Sequence, residues 1–364
     1  MSILHRLRTT LALFIAWLAI GSTISQALQL ALAGLAPVLG GVDTEVLTGA
    51  AEAVKRWATK IWLEASKEIY WGKFIQENEN AIIQLKTELE KGPGDKVTYT
   101  LLRKLTGAGV DDDATLEGNE EPLSWYSDSV TLAQKRNAVR LAGRMSERRT
   151  AFDQKLGAKT QLKTWLAETM DSQMFTGFDS APTVVVYGGD ATSTATIDAA
   201  DKFTPALIDK AIAKAKKAVP KIWPVRYMGK DYYVVVVHTD IGFDLRRDPE
   251  WQQVQREANL QGLNNPIFTG MLGMWQGAII HEHEAVPISV TYGAGGNVPG
   301  ASNMFLGRQA GIMAYGARPE AWEKEFDYGS KAGFAIGAIW KFKKAVFNAA
   351  DNSYIAIRTA RTNN

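Results

Sequence analysis

The chain contains no cysteine among its 364 residues. That removes disulfides, thiolate metal sites and thiol nucleophiles together, and leaves packing, hydrogen bonding and assembly to hold the protein. Histidine is scarce: His5, His238, His281 and His283 are the only four. A strong charge of either sign is also missing. Lys and Arg number 41 against 39 Asp and Glu, for a net charge of +2, so no chain-wide field draws the molecule to nucleic acid. Phosphate-loop and nucleophile-elbow motifs are absent. Gly293-Ala294-Gly295-Gly296 follows an apolar strand but opens no convincing helix, so it lacks the strand–loop–helix context of a dinucleotide site. Asp111-Asp112-Asp113 lacks the ordered ligand spacing of a calcium loop and reads as a solvated acidic turn.

Acidic residues are missing from the start of the chain as well; the first is Asp43. Arg6 and Arg8 precede an apolar run at Leu11–Ile20, and a second run continues to Leu39. The pattern matches a secretory signal with a small-x-small site at Ser25-Gln26-Ala27. Leu11–Leu39 is also long enough to span a bilayer. A start of translation further downstream, and an apolar arm that packs on other subunits, are two further readings of residues 1–42.

What is present is an ordinary globular composition, with 46% apolar and 22% charged residues, enriched by 11 tryptophans and 32 glycines. The most unusual stretch begins at Lys96. An alternating strand, Lys96–Leu102, is followed by a polar excursion through Gly107–Asp113 and Leu116–Pro122. A second strand returns at Ser129–Leu132 and continues through Ala138–Leu141. A loop of roughly 15–20 residues inside a compact domain needs a reason, and service to a neighbouring subunit is one. A helix is then expected from Ser146, as N-cap, to about Phe175. Phe152, Leu156, Leu162, Leu166, Met170 and Met174 share roughly a third of its surface. Lys155, Lys159 and Lys163 form a basic ridge crossing that arc; their stems cover apolar surface, or the ridge faces nucleic acid.

Elsewhere, Asp43–Gln84 reads as mostly helical, with an aromatic series at Trp57, Trp62, Tyr70, Trp71 and Phe74 that suits core or interface packing. Gly92-Pro93-Gly94-Asp95 is a turn. Thr204-Pro205 opens a helix through Val219 whose apolar side is Ala206, Leu207, Ile208, Ala211, Ile212 and Ala215; Lys210, Lys214, Lys216 and Lys217 read as its solvated face. Tyr232–His238 is a β-branched run suited to a strand buried on both faces. Asp240–Arg247 reads as a turn, and Asp248-Pro249 starts a helix through Leu260. Asn303–Gly307 and Ile312–Tyr315 read as short strands, Phe326–Gly329 as a turn, and Ala332–Val346 and Tyr354–Arg358 as closing strands. The mixture follows no regular strand–helix–strand rhythm, so the expected class is α+β.

His281-Glu282-His283-Glu284 is the best metal candidate. On a strand, His281 and His283 share a face and both reach one ion if a third ligand, such as His238 or an acid, joins them. The competing account is an alternating polar strand edge. A metal-dependent enzyme built on this pair is one functional reading, a membrane-anchored protein using Leu11–Leu39 is another, and a self-assembling structural protein is the third.

Several runs carry a resemblance that favours the third. They are Trp71-Gly72-Lys73-Phe74, Glu79–Ile83, Lys104–Val110, Thr115–Glu121, Asn137–Arg140, Arg148–Asp153, Trp275-Gln276-Gly277 and Ile279–His283. Together, from Val54 to Arg358, the chain resembles the tailed-phage major capsid proteins of Hong Kong 97-type fold, and more closely the major capsid family of N-four-like podoviruses. The resemblance implies an amino-terminal arm and helix over 43–95 and an extended loop, the long β-hairpin, over 96–145. It implies a peripheral domain with its spine helix over 146–202, an axial domain over 203–325 and a return to the peripheral domain over 326–364.

It further implies a non-enzymatic shell subunit with no cofactor. Such a subunit forms homo-hexamers and pentamers of an icosahedral head around double-stranded DNA, in a virion assembled in the host cytoplasm. Scaffold, portal and decoration proteins are further implied partners, and no membrane is expected among them. Leu116, Glu117, Asn119, Trp125 and Tyr126 become the expected intersubunit contacts, within a segment Leu116–Tyr126 that docks on the next subunit. Lys155, Lys159 and Lys163 become an interior basic ridge. An encapsulin-type nanocompartment shares the fold and is the nearest alternative. Under this resemblance, residues 1–42 are expected to be a misassigned start, or an arm that is removed or buried in the shell.

Overall fold

The computed structural model describes residues 69–90, 92–227, 229–257 and 271–362. After a single 3₁₀ turn at Tyr70–Phe74 come β1 (Ile75–Gln76), β2 (Ile83–Lys86), a second such turn at Glu88–Glu90, β3 (Lys96–Leu102), β4 (Trp125–Thr131) and β5 (Ala133–Arg140). Two helices follow, α1 (Arg144–Arg149) and the long α2 (Gln154–Asp179). Then come β6 (Val185–Tyr187), α3 (Pro205–Lys217), β7 (Val225–Tyr227), β8 (Lys230–Val237), α4 (Thr239–Arg247) and α5 (Pro249–Glu257). The chain closes in strands: β9 (Met271–Trp275), β10 (Ala278–Glu282), β11 (Ile288–Tyr292), β12 (Val298–Leu306), β13 (Gly311–Phe326), β14 (Lys331–Lys344), β15 (Val346–Phe347), β16 (Ala350–Asp351) and β17 (Tyr354–Ala360). These elements fall into two compact units. The smaller takes in residues 139–155 and 323–334, and the larger takes in the rest.

The larger unit is built on a mixed sheet of order β6-β17-β12-β8-β10-β9, with β11 added on β12 and β7 on β8. β6 runs parallel to β17 and β10 parallel to β8, while the remaining pairs are antiparallel. This is the α+β class expected from the element order. β8 is central because its β-branched run fits a pleat covered on both sides. Val234 and Val236 pack with Leu166, Met170, Met174, Phe175 and Phe178 of α2, whereas Tyr233, Val235 and Val237 pack with Leu207, Ile208 and Ala211 of α3 and Ile241 and Leu245 of α4. Each fully buried valine or leucine contributes about 1.5–3 kcal/mol of transfer free energy to this arrangement. A second sheet, of order β1-β2-β13-β14-β5, adds Met313, Trp340 and Phe342 to the α2 side. Phe342 seats closely there. A Cβ at Gly177 of α2 would lie 2.7 Å from its ring, and one at Gly311 of β13 would lie 2.6 Å away, so only glycine fits at both positions.

The α2 boundaries differ from expectation. Ser146 lies inside the short α1, and Asp153 starts α2 by accepting the Lys155 N–H at 2.9 Å. Phe152 therefore precedes the helix, and Leu156 is 62% exposed. The buried stripe runs instead through Ala158, Leu162, Leu166, Met170, Met174 and Phe178. The expected turn at 240–247 is α4. His238 Nδ1 accepts the Asp240 N–H at 3.1 Å and caps it, and Ile241 and Leu245, one turn apart, supply its buried side. Four charged neighbours had hidden that short stripe. β13 is far longer than the expected short strand, because its second half is exposed and polar and carries no apolar alternation.

Within the described part of 43–84 the helical expectation also gives way. The Tyr70 and Trp71 N–H groups donate to the Asp171 carboxylate of α2 at 2.8 and 3.2 Å, which holds a 3₁₀ turn there. Ile83 then pairs in parallel with Gly311 as β2. Residues 43–68 and the apolar segment 1–42 lie outside the described residues. Among those described, no helix is long and apolar enough to cross a membrane.

In the smaller unit, Leu141 is buried and donates its N–H to the Ala332 carbonyl at 2.8 Å. The Arg140 guanidinium stands 5.6 Å from the Phe326 ring centre. The turn at 327–329 is as expected, with Asp327, Tyr328 and Gly329 all at positive φ.

Candidate assembly surface

The long hairpin has a base built to hold and a tip built to offer. β3 and β4 pair antiparallel from Lys96↔Thr131 to Leu102↔Trp125, so residues 103–124 form the connection. Side chains alternate between faces along the pair. On the inner face, Tyr99 is buried with Ile312, Ala345 and Phe347, and Leu101 and Tyr126 pack against that cluster. The Tyr99 hydroxyl donates to Asp128 Oδ2 at 2.6 Å, and the Lys343 ammonium of β14 donates to Asp128 Oδ1 at 2.6 Å. The Ser129 N–H adds a third bond at 2.7 Å. Burial pushes the Asp128 carboxyl up, but these bonds outweigh it and hold it below the usual carboxylate range. Burial, reinforced by the same carboxylate, pushes the Tyr99 phenol well up.

The outer face is polar along Thr98, Thr100 and Ser127 and ends, next to the connection, in an uncovered apolar pair. Leu102 is 55% exposed and its cross-strand partner Trp125 60%. Leu105, Leu116 and Leu123, all within the connection 103–124, are exposed as well. Of the expected contacts, Leu116, Glu117, Asn119 and Trp125 are therefore at the surface. Asn119 has a local task as well, donating its amide to the Thr115 carbonyl at 2.8 Å. Tyr126 is different: it faces inward, with the Arg103 guanidinium 5.1 Å from its ring. Leu102, Leu105 and Leu123 are additions. The alternation of β3 would have placed Leu102 outward; nothing in the sequence marks the other two.

Glu121 braces the tip. Its carboxylate accepts the N–H groups of Thr106 at 2.8 Å and Gly107 at 2.6 Å, and the Thr106 hydroxyl at 3.1 Å. Those two backbone bonds are the main reason its carboxyl sits below the usual glutamate range. The loop is thus a shaped element, closed across its two arms.

His281 and His283 do share a side, as the strand geometry requires. Their surroundings are those of a packed core, however. The ring of His281 is fully buried, 5.3 Å edge-on from Phe74, and His283 stacks on Phe175 at 4.9 Å. The Lys73 ammonium lies 3.3 Å from Nδ1 of His281, and burial lowers it to about 8. A cation there repels a metal ion rather than helping to bind one. Among the described residues no three acids or histidines converge on a point that would hold an ion. Lys155, Lys159 and Lys163 are all exposed along α2. Lys155 lies 3.5 Å from Glu147, which offsets part of its charge.

Comparison with known proteins follows this geometry. A family model described as phage capsid protein matches residues 45–182 and 178–362. The major capsid protein of Pseudomonas phage KPP25 is 28% identical over 336 residues, covering 80% of this chain and 89% of that one. Among solved structures, the capsid of Ralstonia phage GP4 superimposes with a TM-score of 0.76 at 32% identity, covering 88% of this chain and 99% of its own. The capsid of Cyanophage Pam1 gives a TM-score of 0.74 at 23% identity, over 89% and 100% of the two chains.

Proposed function

The chain belongs to the phage capsid protein family, and from that premise we propose that its β3–β4 hairpin is the arm by which one subunit of the shell grips the next. The protein is a structural subunit of a phage capsid, with the Hong Kong 97-type fold, and a component of the virion. The relatives do not favour the alternative of a protein nanocompartment. Self-association into a shell follows from the family. Its finer form is our reading: hexamers and pentamers of an icosahedral head enclosing double-stranded DNA, with 96–145 as the extended loop, α2 as the spine helix, 203–325 as the axial domain, and no catalytic role.

The observation that carries the hairpin reading is the set of uncovered apolar side chains at its far end. Leu102, Leu105, Leu116, Leu123 and Trp125 are each more than half exposed on one braced loop. A monomer gains nothing by holding five large apolar side chains in water, and exposed apolar residues concentrated on one segment mark an interface. Trp is also among the residues enriched in interface cores. Docking by one subunit on the next is a heterologous contact, which closes into rings when its rotation allows.

The test is replacement of residues 103–124 by a two-residue turn, beside the point variant Trp125→Ser/Leu116→Ser. Both should keep the folded far-ultraviolet spectrum of the parent and lose capsomers and particles in negative-stain microscopy and light scattering. Particles at parental yield from the shortened chain would overturn the reading.

A further inference from the structure

One stretch of the surface carries charge that nothing in the fold answers. From Lys210 to Lys230 the sequence has no Asp or Glu, while it holds six lysines and Arg226. Such a run stands out in a chain whose net charge as a whole is only +2. Lys210, Lys214 and Lys217 fall at i, i+4 and i+7, one face of α3, and Lys216 lies on the other flank of the solvent side, about 100° round from Lys217; all four are exposed. Two of them donate to neutral carbonyls, Lys214 Nζ to Val185 O at 2.8 Å and Lys210 Nζ to Gly189 O at 3.5 Å. Among the described residues, no carboxylate forms an ion pair with Lys210, Lys214, Lys216, Lys217 or Lys221.

The segment after the helix extends the same surface. The Ile222 N–H donates to the Ala215 carbonyl at 3.1 Å, which folds 219–223 back against the end of α3. Lys221 and Trp223, both exposed, flank the residue that meets the last turn of α3, and the Lys221 ammonium lies 4.7 Å from the Trp223 ring centre. Trp223 is 54% exposed and Val219 96%. The favourable placement of cations at a helix C-terminus accounts for Lys214, Lys216 and Lys217. It does not account for Lys221, for Arg226, or for a half-exposed indole under the Lys221 ammonium.

We propose that α3 and the segment to Trp223 form a surface that binds the phosphodiester backbone of nucleic acid, with Lys214, Lys216, Lys217 and Lys221 as phosphate contacts and Trp223 as a platform for an unpaired base. Lysine is the fitting residue, since its mobile point charge reads phosphate without demanding one geometry. A cationic strip beside an exposed aromatic ring is the arrangement used for strand binding without sequence preference. Lys155 on α2, by contrast, already faces Glu147. The choice of nucleic acid as partner rests on the capsid reading; the surface itself does not.

The test uses the full chain, as particles or capsomers, with a labelled mixed-sequence duplex and the corresponding single strand, by fluorescence anisotropy between about 50 and 200 mM salt. Replacing the four lysines by Gln should weaken binding at the lower salt by roughly tenfold or more. It should also flatten the slope of log K against log salt by about three to four, at about 0.9 per duplex phosphate contact. The matching Lys→Arg variant should keep both. Trp223→Ala should weaken the single strand and spare the duplex; unchanged binding of the single strand would overturn the role given to Trp223.

Unchanged binding in the Gln variant would overturn the proposal. So would the same loss appearing instead in Lys155→Gln/Lys159→Gln/Lys163→Gln, or preference for poly-glutamate over both DNA forms, which would mark an acidic protein partner. Particle formation is scored separately by microscopy. Failure to form shells therefore tests the capsid reading, and failure to bind DNA tests this one.

Discussion

The eight-stranded sheet and the β3–β4 hairpin are both made of alternating strands, yet they treat apolar side chains in opposite ways. In β8, Val234 to Val237 are fully covered on both faces. In the hairpin only the inner face is covered, and Leu102 and Trp125 look outward into water. The sheet completes itself within one chain. The hairpin completes only its base, where Tyr99, Asp128 and Lys343 tie it down, and it leaves Leu102 and Trp125 in water. On the proposed reading this division is functional: the first region makes the folded unit and the second makes it one of many.

The contrast is broken most severely from the sheet side. Val235→Asp puts an unpaired carboxylate among Tyr233, Phe305 and the α3 side chains, at a cost above about 4 kcal/mol, a large share of the stability of an ordinary domain. No cooperative thermal transition and little soluble protein are expected. A near-parental melting curve would refute the account of the core. Loss of the hairpin tip, as described above, comes next: it should abolish assembly while sparing the fold. A variant that lost both would show the two regions to be one folding unit.

The base of the hairpin sharpens the comparison further. Asp128→Ala leaves the buried Tyr99 hydroxyl without its acceptor, and should cost about 1–2 kcal/mol. Lys343→Ala should cost under about 1 kcal/mol, because the ammonium is 40% exposed and screened. Urea titration of both variants measures the order. Equal costs would mean that the Tyr99 bond contributes nothing beyond the ion pair.

These cases show what the sequence carried and what it concealed. The alternation of Lys96–Leu102, the β-branched run of β8 and the Thr204-Pro205 start of α3 are local patterns, and the fold keeps them. Ser146 failed as a helix start because Asp153 stands closer to the apolar stripe and caps the N–H that matters. Tyr126 and Trp125 are neighbours in sequence and opposite in role. Only the register with Leu101 and Leu102 decides which one faces the core, and register is a long-range property. The grouping of His281 and His283 was legible from strand period alone. The Lys73 ammonium that makes the site unsuited to a metal arrives from more than two hundred residues away, and no spacing rule foretells it. The Glu121 brace is equally silent in sequence, since nothing local marks a carboxylate that will reach Thr106 and Gly107.

That brace provides the smallest effect and the finest test of how far the tip is preshaped. The Glu121 carboxyl sits below the usual glutamate range because backbone N–H groups bind its charged form. A depressed carboxyl stabilises the closed loop above its ordinary value, about 4.3, and the contribution disappears as pH falls through the depressed one. At neutral pH the brace is fully present. Glu121→Gln should then speed hydrogen exchange in a peptide covering Thr106 and Gly107 by a few fold and leave the β8 peptide unchanged. As pH is lowered past the ordinary glutamate value and through the depressed one, and exchange is corrected for its intrinsic rate, the parent should approach the variant. If the two differ equally across that range, the loop is held by something other than this carboxylate. The hairpin would then be shaped by its strands alone, and its tip would be free to adapt to the subunit it meets.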